Sequence, residues 1–165
     1  MKFVDNPSAV DKIYFTQEAS GGCWSYLGKQ GGAQQLNLGR GCEIKGIAIH
    51  EILHALGMAH EHQRPDRDEY LSIDTSSLTE KGIQQIVWKY AWSEMNHYTS
   101  FDYGSIMMYP ANANRYGPDF TSLTEGTILT PKYPLSAGVV LGQRNGLSDL
   151  DKLTIQKRYN GTILY

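Results

Sequence analysis

A chain of 165 residues, 41% apolar and 19% charged, holds enough material for one sizeable core and is too apolar for disorder. Its 15 basic and 17 acidic side chains leave a formal charge of −2 with no basic stripe, which removes the electrostatic case for a nucleic-acid partner. No uninterrupted apolar run is long enough to be a transmembrane segment, and residues 1–7 lack the apolar centre of a signal peptide.

Residues 10–16, with Ile13, Tyr14 and Phe15 in succession, predict a strand. Gly21 and Gly22 punctuate the chain, after which residues 23–28 read as a short strand alternating the large side chains of Trp24 and Tyr26. Gly31 and Gly32 mark a turn and not a phosphate loop, because neither the GxGxxG order nor a lysine-serine ending is present. Residues 34–38 alternate weakly, Leu36 and Leu38 facing one way. Together these segments predict a small twisted sheet.

Lys45 and Gly46 are expected to precede a helix that buries Ile47, Ile49, Ile52, Leu53 and Leu56. On that helix His50 and His54 stand four residues apart and share a face, where both can reach one metal with Glu51 beside them. A helix continued to residue 60 would rotate His60 away from the pair, whereas Gly57 can take a left-handed turn and swing it back. Three neutral imidazoles on zinc leave one coordination position for water, whose proton the metal makes easier to remove. Glu51, adjacent to His50, suits a general base better than a fourth ligand. A lone histidine on an apolar helix more often packs or caps than binds metal; the full spacing with Glu51 and Gly57 reverses that reading.

Pro65 interrupts any helix through the charged stretch of Arg64, Asp66, Arg67, Asp68 and Glu69. Ile83, Ile86, Val87 and Tyr90 predict a helix over residues 80–91, weakened at its start by Gly82. Trp88, Trp92, Tyr98 and Phe101 are expected to fill the second half of the core, and His97 has no assigned chemistry. Residues 110–146, with several prolines and glycines around short apolar stretches such as Ile128-Leu129, are long enough to cover one side of a cleft. Ser148 is expected to cap a last helix, with Asp151 reaching back to the cap amide and Leu150, Leu153, Ile155 and Tyr159 as anchors. Asn160 and Gly161 are expected to end it, and residues 160–162 form an N-glycosylation triplet.

The run from His50 to His60, followed by Glu61 and with Arg64, Asp66, Arg67, Asp68 and Tyr70 downstream, resembles the long zinc signature of the metzincin metallopeptidases in its astacin form. Asp102-Tyr103-Gly104-Ser105-Ile106-Met107-Met108-Tyr109 resembles the astacin methionine turn, with Met108 where the family more often has histidine. The resemblance implies an α+β, zincin-like, two-lobed metallopeptidase domain over residues 1–165. Residues 1–60 would form the lobe with a mixed, mostly parallel twisted sheet and the active-site helix, and residues 61–165 a more irregular lobe with the C-terminal helix. Astacin catalytic domains usually carry a further strand and helix ahead of the point where this sequence starts, so the domain is expected to be N-terminally incomplete.

By the same resemblance, one catalytic Zn2+ sits on His50, His54 and His60, Glu51 is the base, and Met107 makes an apolar floor beneath the imidazoles. Tyr109 becomes a movable zinc contact and transition-state donor. Trp24 and Tyr26 fall at the sheet edge along the cleft, where an extended peptide adds as another strand, simple packing aromatics being the equal alternative. The spacing of Cys23 and Cys42 resembles a family disulfide, the alternative being two buried free thiols. Astacins join the carboxylate at Glu61, through water, to the amino terminus exposed by propeptide removal; here it is expected to be structural, solvated or paired with Arg64 or Arg67. The function implied is that of a secreted endopeptidase acting on protein or peptide substrates. A zinc-containing peptide-binding domain with little or no catalysis is the main alternative, and a hydrolase for non-peptide esters another.

Overall fold

Strand β1 (Lys12–Thr16) and the short β2 (Cys23–Ser25) flank β3 (Ala33–Leu38) in a three-stranded sheet of order β1-β3-β2. The structure, a computed structural model, describes residues 3–19, 21–76, 78–91, 98–112 and 126–159. β1 runs parallel to β3, with Tyr14 opposite Gln35, and β2 runs antiparallel to it, with Trp24 opposite Asn37. The sheet is therefore mixed as expected, but with one ladder of each kind in place of a parallel majority. β1 begins two residues later than the apolar pattern suggests, and Val10 is exposed.

The middle strand holds its neighbours through a buried amide. Asn37 accepts hydrogen bonds from Thr16 Oγ1 at 2.9 Å and the Glu18 amide at 2.8 Å, and donates to the Gly22 carbonyl at 2.7 Å, so its polar atoms are satisfied inside the loop that joins β1 to β2. Cys23 and Cys42 form a disulfide that ties the start of β2 to the turn ahead of the first helix.

That helix, α1 (Lys45–Ala55), starts at Lys45, so Lys45 and Gly46 belong to its first turn and do not precede it. Gly46 is required for packing: a Cβ there would lie 1.7 Å from the Arg144 carbonyl oxygen. After α1 come a 3-10 turn (Glu61–Gln63), the one-turn α2 (Arg67–Tyr70) and β4 (Leu71–Ile73), which pairs antiparallel with β5 (Leu129–Pro131).

The helix expected over residues 80–91 is shorter and wider than its apolar spacing suggests. α3 (Glu80–Gly82) passes into a π-helical turn over Ile83–Val87, and Trp88 is already extended. The carbonyls that would propagate the helix are taken from outside: Gln63 Nε2 donates to the Gln85 carbonyl, and the buried Arg67 guanidinium donates to those of Ile86 and Val87. Trp88 is 47% exposed and stands edge-on to Tyr90, so it leaves the core, while Phe101 is buried there and Tyr98 half-buried; Trp92 and His97 lie outside the described residues.

The last helix, α4 (Asp149–Arg158), begins as expected. Ser148 Oγ accepts from the Asp151 amide and the Asp151 carboxylate accepts from the Ser148 amide, a reciprocal capping box. Residues 160–162 lie outside the described part. Among the described residues no helix is long and apolar enough to cross a membrane.

Two apolar clusters meet at the methionine pair. Met107 packs with Leu53, Ile106 and Ile155 between α1 and α4, while Met108 packs with Leu71, Ile86, Phe101, Ile128, Leu129 and Leu141. One turn thus anchors both clusters.

Candidate metal centre

α1 delivers His50 and His54 one turn apart, and its end delivers the third imidazole. Gly57 adopts φ 85°, a left-handed conformation that costs a residue with a Cβ but not glycine. Around it the Gly57 amide donates to the His54 carbonyl at 2.7 Å and the Met58 amide to the Leu53 carbonyl at 2.9 Å, the double bond of a Schellman motif. The chain then reverses, and His60 faces the pair.

The three Nε2 atoms converge. His60 Nε2 lies 3.3 Å from His50 Nε2 and 3.0 Å from His54 Nε2. Each Nδ1 is occupied elsewhere: His50 Nδ1 donates to the Ile106 carbonyl at 2.8 Å, His54 Nδ1 to the Met58 carbonyl at 2.8 Å, and His60 Nδ1 to Gln63 Oε1 at 3.1 Å. With the protons fixed on Nδ1, three lone pairs point at one another, an arrangement that a cation between them relieves. Nitrogens sharing a tetrahedral zinc at about 2.0–2.1 Å stand about 3.4 Å apart, so the donor set fits zinc with little adjustment. Burial, together with mutual repulsion for His50 and His60, pulls all three pKa values below the usual histidine range, His54 to about 4, which keeps the rings neutral and able to ligate.

Glu51 sits beside this cluster, 5% exposed, its Oε2 buried without a hydrogen-bond partner. Burial pushes its carboxyl up to about 8, while the nearby Arg144 guanidinium pulls the other way. A dication at the imidazoles would add a second pull in that direction and give the orphaned oxygen a reason to be charged.

Tyr109 packs on His60, ring centroids 4.5 Å apart, and on His62 at 4.1 Å. Burial and the Glu51 charge push its hydroxyl pKa up, so it stays protonated and able to donate. Met107 is fully buried against Leu53 of α1, and its carbonyl accepts from the Glu61 amide at 3.1 Å.

Glu61 is neither solvated nor paired with Arg67. It is bonded to Arg64 Nη1 at 3.1 Å and accepts from the Asp102 amide at 2.9 Å, and burial lifts its carboxyl to about 8 against the pull of Arg64. Arg67 turns instead to the carbonyls of His62, Ile86 and Val87. Trp24 and Tyr26 stand edge to face at 5.6 Å on and just after β2, Tyr26 49% exposed.

Sequence reasoning missed His62, Gln63 and Arg144. His62 is fully buried, with Nε2 on the Gln85 carbonyl at 3.2 Å. Its histidine identity beside the signature was a usable signal. Gln63 and Arg144 carry no such mark, since their roles depend on where the Gly57 turn and the 142–146 segment fold.

A sequence model of the astacin peptidase family matches residues 1–160. The chain is 40% identical over 154 residues to zinc metalloproteinase nas-13 of Caenorhabditis elegans, covering 93% of this chain and 32% of that protein. It is 36% identical over 152 residues to the astacin-like metalloendopeptidase of Gallus gallus, covering 92% and 35%. Among solved structures it superposes on high choriolytic enzyme 1, a hatching enzyme zinc-protease of Oryzias latipes, with a TM-score of 0.80 and 34% identity over 96% of this chain and 74% of that one. The chain thus spans about a third of the length of these two curated relatives.

Proposed function

The chain belongs to the astacin family of zinc metallopeptidases, and from that premise we propose that it hydrolyses internal peptide bonds of proteins or peptides with Glu51 as general base. The observation that carries the reading is the convergence of three Nε2 atoms, each ring's other nitrogen already spoken for, beside a buried carboxylate oxygen with no partner.

His50, His54 and His60 would hold the metal. When bound, zinc supplies Lewis acidity, making water easier to deprotonate and drawing charge from a carbonyl oxygen. Glu51 takes the proton as the water oxygen attacks the peptide carbonyl carbon, and returns it to the nitrogen as the C–N bond breaks. Its buried setting suits both halves, because desolvation makes the carboxylate a stronger base than a solvated one, a bound dication would keep it ionised until it takes the proton, and the acid so formed is still strong enough to protonate the departing amine. The Tyr109 hydroxyl donates to the charge that develops on the carbonyl oxygen, as the tyrosine at this position of the family's methionine turn does.

The outer edge of β2 has no strand partner among the described residues, which suits an extended substrate added alongside it with Trp24 and Tyr26 flanking the groove. Such open-ended binding favours endopeptidase over exopeptidase action. The Cys23–Cys42 disulfide fits an oxidising, extracellular setting.

The test is cleavage of a peptide library by zinc-reconstituted protein, with products identified by mass and Glu51→Gln run in parallel. Internal cleavage that the variant loses while keeping its zinc supports the reading. Metal-loaded protein that binds peptides but cuts none would leave a peptide-binding domain.

A further inference from the structure

We propose that Arg158 and Tyr159, at the end of α4, are positioning residues for the zinc ligands, clamping the Gly57 turn from outside; this rests on the zinc reading above. The Tyr159 hydroxyl donates to the Leu56 carbonyl at 3.0 Å. The Arg158 guanidinium lies on Gly57 so closely that a Cβ there would be 2.3 Å from Nη2 and 2.8 Å from Cζ. The two contacts fall on consecutive residues, Leu56 and Gly57, of the five that carry the chain from His54 to His60. Gly57 therefore serves twice, taking a left-handed φ and offering a bare face to the guanidinium.

The other end of α4 reaches the same cluster by a different route. Asp151 accepts from Ser105 Oγ at 2.6 Å and from the Ile106 amide at 2.9 Å, and the Ile106 carbonyl is the partner of His50 Nδ1. A helix of ten residues, about 15 Å long, thus contacts the hydrogen-bond partner of the first ligand at its start and the turn between the second and third at its end. The Met58 carbonyl that fixes the His54 tautomer lies one residue beyond the clamped glycine, so a shift of the turn moves both the His54 partner and His60. Groups that hydrogen-bond a metal ligand directly typically change metal affinity about 10–100-fold when removed, and the clamp, one contact further out, acts on two such positions at once, which sets the expected loss at the lower end of that range. By linkage, zinc must in turn favour docking of the last turn of α4.

The experiment measures zinc dissociation constants by competition with a chromophoric chelator for the whole chain and for Tyr159→Phe, Arg158→Ala, Arg158→Lys and the double variant Arg158→Ala/Tyr159→Phe. Lys152→Ala, on the exposed side of α4, is the control, and thermal midpoints of the metal-free proteins are recorded beside each. The double variant is expected to bind zinc about 10-fold or more weakly, with Tyr159→Phe intermediate, Arg158→Lys closer to wild type than Arg158→Ala, and the control unchanged. Tyr159→Phe removes a single oxygen from a side chain 37% exposed, so it keeps the test usable if the double variant folds poorly. Hydrogen exchange on the wild type should show zinc slowing amides in the last turn of α4. Zinc constants within twofold of wild type in Tyr159→Phe and Arg158→Ala, or losses that only track the metal-free midpoint, overturn the proposal. Zinc binding that survives His54→Ala overturns instead the zinc reading on which the proposal stands.

Discussion

Ser105 donates its hydroxyl to Asp151 at 2.6 Å, and this bond joins α4 to the turn whose Ile106 carbonyl accepts from His50. Asp151 is 2% exposed and also accepts from the Ile106 and Ser148 amides. Burial raises its pKa, and the three donors oppose the rise without cancelling it.

Asp151→Ala would strand those donors in the interior. At about 1–3 kcal/mol for each buried group left without a partner, offset by relaxation, the loss of stability should be roughly 2–4 kcal/mol, read from denaturant unfolding of the metal-free protein. Asp151→Asn keeps one acceptor oxygen and should cost about half as much. Equal effects of the two would show that packing and not hydrogen bonding holds the turn.

Tyr109→Phe separates chemistry from metal binding. The ring keeps its contacts with His60 and His62, so zinc content should stay at the wild-type level while turnover falls on the order of 10²-fold with little change in KM, as when one transition-state donor is removed. A variant with unchanged kcat would remove the hydroxyl from the mechanism.

The disulfide offers a test of the groove. It closes a span of 19 residues between β2 and the turn before α1, so Cys23→Ala/Cys42→Ala should lower stability by about 3 kcal/mol. Because β2 gains its position from that tie as well as from β3, KM for peptides should rise more than kcat falls. An unchanged KM with lowered stability would place the substrate elsewhere than the β2 edge.

How much of this was legible beforehand varies with the range of the interaction. His50, His54, Glu51, Gly57 and His60 sit within eleven residues, and helix periodicity plus one glycine fixes their geometry. The capping box at Ser148 and Asp151 is equally local. What orients the ligands is not: the Ile106 and Met58 carbonyls are backbone groups with no side-chain signature, and Ile106 is 56 residues from His50. The expected helix over 80–91 failed for the same reason. Its apolar spacing is helical through Tyr90, but Arg67 and Gln63, distant in sequence, take its carbonyls and end it at Val87. For Glu61 the alternatives stay open in the sequence, because nothing nearby announces that Arg64 and the Asp102 amide enclose it.

The pH dependence of the metal-free protein follows from groups that pull in opposite directions. His50, His54, His60 and His62 all have folded pKa values below 6.5, His54 about 4 and His62 about 3, mainly through burial. Below pH 6.5 the unfolded chain binds more protons at these four positions than the folded one, so acidification destabilises the fold. Glu51 and Glu61, lifted by burial to about 8, act the other way: the folded chain holds their protons up to about pH 8 while the unfolded chain releases them near pH 4.5. From pH 8 toward 6.5 only the carboxyls contribute, and stability should rise on acidification. Below 6.5 four histidines oppose two carboxyls and stability should fall, more steeply once the pH drops under 4.5 and the carboxyls are protonated in both states. Urea unfolding of the metal-free protein at half-unit steps from pH 8.5 to 4 should therefore give a maximum near pH 6.5. His62→Phe, which removes one opposing group and keeps an aromatic ring stacked on His60, should move that maximum to lower pH. A curve that rises steadily up to pH 8 would mean that Glu51 and Glu61 are ionised in the fold even without the metal.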